Sequence, residues 1–419
     1  MIPSIKKSVF DFRNSVFGRC LFHPSNPELQ APSPESPISN TAPRITRHEV
    51  GGYKDQFWYP RFWDGMTTRA WLKLLHSGRY RVAPIRWAMA AIITGLAVTV
   101  NSPFAFLQKL VYGRRIRETN LVAPPIFILG HWRSGTTLLH EYMIRDERFA
   151  FSDTYACFAP EHFIMSRHVL RPFVAFLMPT KRPIDNMEAG FDRPQEDEFA
   201  LTSMGLPSPY RKLIFPNNKG TIDSDYLTMR NLTDAQRKEW LDGLDFFLKA
   251  LTFVTPKQLV LKSPPHTARI RTILERYPDA KFVHIHRNPY SLFPSTHNLW
   301  MRLSRDEGAQ RPKAEGMEEY IFDSLVRMYE AFAADVPLLK PGQYCEVAYK
   351  ELTARPMETL EKLYRELELD GYETVRPEIE KFAASQREYK KNKFEIVPEL
   401  KKKIVERWTW YFDHYGYEK

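Results

Sequence analysis

PPIFILGHWRSGTTLLHEYM, residues 124–143, is the stretch whose reading decides the fold. Ile126 to Leu129 is a short apolar run that suits a buried strand, and Leu138, Leu139 and Met143 then fall on one side of a helix that starts at Thr136. Between them lies GHWRSGTT (130–137), a loop bounded by Gly130 and Gly135. A helix start leaves backbone N–H groups without partners, so a loop of this kind can seat an anion. The glycine spacing fits a nucleotide-kinase phosphate loop, but Thr136 stands where that loop's Lys belongs. Arg133 supplies a cation from inside the loop instead. An ordinary turn capped by Ser or Thr is the plainer reading of the same residues.

A second strand-to-helix junction repeats the logic in FVHIHRNPYSLFPSTHNLW (282–300). Lys281 to His286 alternates apolar and polar residues after the turn YPDA (277–280), which predicts a strand. Arg287, Asn288 and Pro289 end it, and a helix from Tyr290 brings Ser295 back toward Arg287. Just upstream, Gln258 to Leu261 predicts another strand ending at Lys262, with a helix over residues 267–277 returning the chain. Strand, helix, strand in about thirty residues implies a parallel sheet. Ligands of such sheets bind at the carboxyl ends of the strands. Arg133, Lys262 and Arg287 all fall at such ends, so the expected architecture is α/β, a parallel sheet flanked by helices.

These motifs resemble those of the sulfotransferases that use 3′-phosphoadenosine 5′-phosphosulfate (PAPS), over roughly residues 124–369. RSGTT (133–137) resembles that family's 5′-phosphosulfate loop, with Arg133 in place of a frequent Lys. Arg287 and Ser295, with Asn288 and Pro289 between them, resemble its 3′-phosphate site. Lys262 resembles the lysine aimed at the bridging oxygen. YKEL (349–352), followed by Pro356 and a helix, is similar to the Tyr-Glu-Asp-Leu segment after a late strand. The resemblance implies a P-loop-like fold and in-line sulfuryl transfer from PAPS to a hydroxyl, or second to an amine. Arg133, Ser134, Gly135, Thr136, Thr137, Arg287 and Ser295 would hold the donor, and Arg133 and Lys262 would neutralise charge in the transition state. No metal is expected.

The acceptor needs a base, and here alternatives stay open. Cytosolic members of the family use a His two residues after the lysine; this sequence has Pro264 there. His266 lies four residues after Lys262 and is one candidate. The run DRPQEDE (192–198) offers Glu196, which the resemblance to carboxylate-using, membrane-linked branches favours. Its acids also suit the first turn of a helix. Asp153 is a third candidate. His284 and His286 share a strand face with no further ligand nearby, which reads as two satisfied side chains. Cys20, Cys157 and Cys345 form neither a zinc pattern nor a disulfide framework.

Composition adds the rest. At 419 residues and 43% hydrophobic, the chain can bury one large core. Residues 1–50, with their proline-rich run 24–43, are expected to be disordered, 51–120 to be a helical, basic and apolar membrane-associating region, and 121–419 to be the catalytic domain. Between Gly65 and Arg117 stand nine Lys or Arg and no acid, close to the whole net charge of +10. Inside that region the uncharged run 87–108 contains Asn101, Ser102 and Pro103, which predicts helix, break and helix dipping into one leaflet. A full span and a hairpin buried on the catalytic domain are the alternatives. Trp58, Trp63, Trp71 and Trp87 would supply interfacial aromatics. No nucleic-acid motif accompanies the charge, so a membrane surface is the expected partner. Lys390, Lys391 or Lys393 could stand in for the Arg-Lys-Gly loop that closes cytosolic sulfotransferases. A P-loop kinase and a catalytically silent scaffold remain the competing functions.

Overall fold

The computed structural model describes residues 60–175, 190–218, 222–386 and 394–419. The segment 1–50, Trp58, Cys20 and the lysines 390, 391 and 393 lie outside them. Five strands form one sheet: β1 (Ile126–Leu129), β2 (Phe149–Ala150), β3 (Gln258–Lys262), β4 (Lys281–His286) and β5 (Tyr344–Ala348). All neighbours pair in parallel, in the order β2-β3-β1-β4-β5. The expected strands β3 and β4 flank β1 rather than each other, so successive crossovers pass on either side of the central strand. That central position makes the carboxyl end of β1 a switch point, where such sheets bind ligands.

Alternate side chains of each strand enter two apolar layers. Phe127, Leu129, Leu259, Leu261 and Phe282 face one; Ile126, Ile128, Val260, Val283, Ile285 and Val347 face the other. The first layer is large because it takes in the helices before β1 as well as most of those after β2. These are α1 (Thr68–Ser77), α2 (Trp87–Leu96), α3 (Ser102–Glu118), and, beyond α4 (Thr136–Met143), the helices α5 (Asp197–Ser203), α6 (Asp234–Val254), α7 (Ile270–Arg276), α8 (Pro289–Asp306) and α9 (Met317–Asp335). The second layer is closed by α4 and by α10 (Pro356–Glu366), through Leu139, Met143, Leu360 and Leu363.

Residues before 120 therefore share the catalytic core. Phe62, Trp63 and Trp71 are fully enclosed, with the Trp63 and Trp71 rings stacked at 5.3 Å. Of the described tryptophans expected at an interface, Trp87 alone is exposed. The predicted break at Asn101–Pro103 is also absent. The helix runs unbroken over 35 residues, Pro84–Glu118, through a π turn at Ala97–Asn101. Pro103 falls in the first turn of α3, where its missing N–H is tolerated by the wider π geometry. Asn101 turns inward and donates from Nδ2 to the carbonyls of Asp64 and Met66 at 2.8 and 3.0 Å. The residue read as a breaker is a buried tether.

Candidate active site

Three of the strands deliver the site from their carboxyl ends. Ile128 on β1 lies in register with Lys262 on β3, and Leu129 with His284 on β4. The loop after β1 and the cations Lys262 and Arg287 thus leave the sheet side by side.

The loop owes its shape to three positive-φ residues: Gly130 at +144°, Arg133 at +70° and Gly135 at +111°. At Gly135 a Cβ would lie 2.4 Å from the Tyr349 ring, so glycine is needed for close packing as well as for conformation. Gly130 N–H donates to Thr267 Oγ1 at 2.7 Å, which ties the loop to the turn after β3. Arg133 bends across to α8, where its Nε donates to Ser295 Oγ at 3.0 Å. Arg287 Nη1 donates to the Arg133 carbonyl at 3.1 Å, and its guanidinium lies 4.4 Å above the Tyr349 ring. Tyr411, near the C-terminus, accepts from Arg287 N–H and donates to its carbonyl. The two runs read from sequence as anion seats are therefore in direct contact.

The residues fit an anionic nucleotide. Backbone N–H groups open α4 at Thr136 and Thr137, two guanidiniums stand within contact of each other's loops, and Ser134 Oγ is buried without a protein partner. Thr137 is half-buried beside Gly135, whereas Thr136 is enclosed.

On the β3 side, Lys262 Nζ donates to Glu196 Oε1 at 2.7 Å. Glu196 precedes α5 as its N-cap residue. Its other carboxylate oxygen accepts from the Tyr210 hydroxyl, which in turn accepts from Trp132 Nε1 of the loop at 3.0 Å. Burial, and then the Glu196 carboxylate, push the Tyr210 phenol well above its ordinary value, so it remains a donor. Lys262 is almost wholly enclosed, while the Glu196 side chain keeps 15% of its surface open. That opening is what a base facing an acceptor requires.

The other two base candidates are engaged elsewhere. His266 has no exposed surface and its Nε2 meets Asp197 Oδ2 at 2.5 Å. Burial opposes the Asp197 charge, but His266 and Ser263 hold its carboxyl below the usual range. Enclosed in this way, His266 is held against Asp197 at the start of α5. Asp153 caps the short helix Thr154–Phe158 and pairs with Arg167 at 2.6 Å; burial raises its carboxyl and that guanidinium works against the rise. Glu198 forms a fully buried pair with Arg269, whose Nη2 donates to Glu198 Oε1 at 3.0 Å. The acids of 196–198 thus divide, with Glu196 at the opening and the other two in the core. His284 and His286 are hydrogen-bonded as read, to Glu346 and Tyr329 and to Tyr417.

Residues 124–374 match the model of the sulfotransferase family. The chain belongs to that family. This sulfotransferase is 36% identical over 362 residues to the omega-hydroxy-beta-dihydromenaquinone-9 sulfotransferase Stf3 of Mycobacterium bovis and to that of Mycobacterium tuberculosis, covering 86% of this chain and 92% of each relative. Its fold is shared with the crystal structures of sulfotransferase STF1 from Mycobacterium tuberculosis (TM-score 0.58, 16% identity, 82% of this chain and 92% of the other) and STF9 from Mycobacterium avium (TM-score 0.57, 15% identity, 84% and 97%). The kinase and silent-scaffold readings give way to a sulfotransferase. Tyr210 and Tyr411 were missed in the sequence because each reaches the site through contacts over 14 and 124 residues of chain, which no local spacing signals.

Proposed function

We propose that this sulfotransferase moves a sulfuryl group from PAPS to a hydroxyl on a lipophilic, quinone-like acceptor at a membrane surface. The observation that carries the reading is the Lys262–Glu196 pair beside the Arg133 loop, an enclosed cation held by a partly open carboxylate at the end of β3. The donor would be held at its 5′ end by Arg133 and the N–H groups from Ser134 to Thr137, and at its 3′-phosphate by Arg287 and Ser295. Remote binding of that kind aligns the reacting end. The S–O bond to the leaving phosphate breaks as a new S–O bond to the acceptor oxygen forms, and Glu196 takes the acceptor's proton. Lys262 and Arg133 neutralise charge on the leaving phosphate and the sulfuryl oxygens.

Without an anion, Lys262 and Glu196 neutralise each other. A leaving phosphate that engages Lys262 frees Glu196 for the acceptor, so the base becomes active in the loaded site. The Stf3 relatives, named for an omega-hydroxy dihydromenaquinone, support a terminal hydroxyl on a long apolar molecule as acceptor. Turnover with labelled PAPS and a series of hydroxylated quinones and long-chain alcohols tests the reading. Sulfated lipid with stoichiometric 3′,5′-adenosine bisphosphate is the expected product. A folded protein that binds PAPS yet sulfates short polar alcohols better than long apolar ones would overturn the acceptor class.

A further inference from the structure

The helix Pro84–Glu118 presents two unlike sides. Met89, Ile93, Ala97, Asn101, Gln108 and Ile116 form a stripe buried against the protein. The opposite side exposes Ile85, Trp87, Ile92, Leu96, Val98, Phe106, Leu110 and Val111, with Phe106 at 66% and Leu110 at 71%. A row of large apolar side chains along a rod of about 50 Å far exceeds the scattered exposure normal for a soluble surface. Cations mark both ends: Arg79 and Arg81 before the rod, Lys109, Arg114 and Arg117 in its last turns, all exposed.

The rod is fixed to the domain along its whole length. Arg86 Nη2 donates to the Arg305 carbonyl at 2.7 Å, Trp71 Nε1 to Thr94 Oγ1 at 2.9 Å, and Lys249 Nζ to the Arg117 carbonyl at 3.4 Å. Hydrocarbon cannot surround a helix tied in this way without also taking in the polar domain. The buried side of the helix also holds a stretch of chain near the site. Asp153 bridges Pro194 in antiparallel fashion, two residues before Glu196. Gln108 Oε1, on the buried stripe, accepts from Ile164 N–H and Met165 N–H at 2.9 and 3.2 Å, and the same stretch exposes Val169 and Phe173, the latter at 73%.

We infer that this face seats the enzyme in the plane of an anionic lipid bilayer, with the apolar row in the acyl boundary and the basic ends on the headgroups. The inference rests on the reading of the enzyme as one that meets its acceptor at a membrane. Charge favours lipid over a second copy of the chain, because self-pairing would bring like cations together, while anionic headgroups complement them.

Flotation of the full-length protein with vesicles of phosphatidylcholine and phosphatidylglycerol tests this. Wild type is expected to float with mixed vesicles, less with phosphatidylcholine alone, and to be released by high salt. Leu110→Asp and, separately, Phe106→Asp should weaken binding roughly 10- to 100-fold. Both side chains are exposed, and 3′,5′-adenosine bisphosphate binding should be unchanged in both, which keeps a failure here separate from a failure of the sulfotransferase site. Wild type that binds nucleotide but ignores vesicles overturns the inference. So do variants that float as well as wild type, protein that only detergent extracts, which would mean a span, and a wild-type dimer that leaves vesicles in solution and is dispersed by Leu110→Asp.

Discussion

The proposed donor seat and the proposed base lie side by side but are built in opposite ways. The proposed seat consists of two short runs, 130–137 shaped by its glycines and 287–295 by its prolines, each with a helix start. The base end is assembled from Glu196, Tyr210 and Lys262, which are brought together across gaps of 14 and 66 residues. Local chemistry fixes the first; packing fixes the second. Substitutions in the seat should therefore act on nucleotide binding, and those at the base end on turnover with binding retained.

The largest effect expected is at Glu196. Glu196→Gln should lower kcat roughly 10²- to 10⁴-fold, as loss of a general base does, while the affinity for 3′,5′-adenosine bisphosphate stays near wild type. A steady-state assay paired with a nucleotide titration checks this, and equal loss in both would erase the separation. Next comes Gly135→Ala. A non-glycine residue at φ +111° with its Cβ against Tyr349 strains the loop by about 1–3 kcal/mol. Nucleotide binding should weaken by roughly 5- to 150-fold, with thermal unfolding as the control on the rest of the domain.

Tyr210→Phe sharpens the comparison from the other side. It keeps the ring packing and removes one donor from Glu196, so kcat should fall by about tenfold, with the KM for PAPS little changed.

The smallest effect concerns stability. Burial holds His131 down to about 3, and burial with the Lys262 charge holds His140 to about 3. A histidine depressed in the folded state contributes stability that is present above its unfolded value near 6.5 and is lost as pH falls toward the folded one. Melting temperature should drop between pH 7 and 5, as stability falls by about 2 kcal/mol for each of these side chains at pH 5. His140→Gln should flatten that slope, and an unchanged slope would remove His140 from the account.

The same division explains what was legible in the sequence. The parallel sheet, its strands β1, β3 and β4 and the positions of Arg133, Lys262, Arg287 and Ser295 followed from periodicity and turn residues, because those signals act over a few residues. Glu196 was favoured over His266 only through the resemblance, because which of the two the packing of α5 leaves open and which it encloses is not a local signal. Asn101–Pro103 misled for a related reason. Propensity predicts a break, but two long-range hydrogen bonds from Asn101 and a π turn carry the helix through. Trp63 and Trp71 likewise could be read as interfacial until the core around them was seen.

The central claim is that the two runs legible in sequence form one seat for a nucleotide with two phosphate-bearing ends. Calorimetric titration of 3′,5′-adenosine bisphosphate into wild type and Arg287→Ala tests it most directly. The account predicts tight binding to wild type that collapses in the variant. A folded wild type that binds ATP but not the bisphosphate, or an Arg287→Ala protein that binds as tightly as wild type, would contradict it.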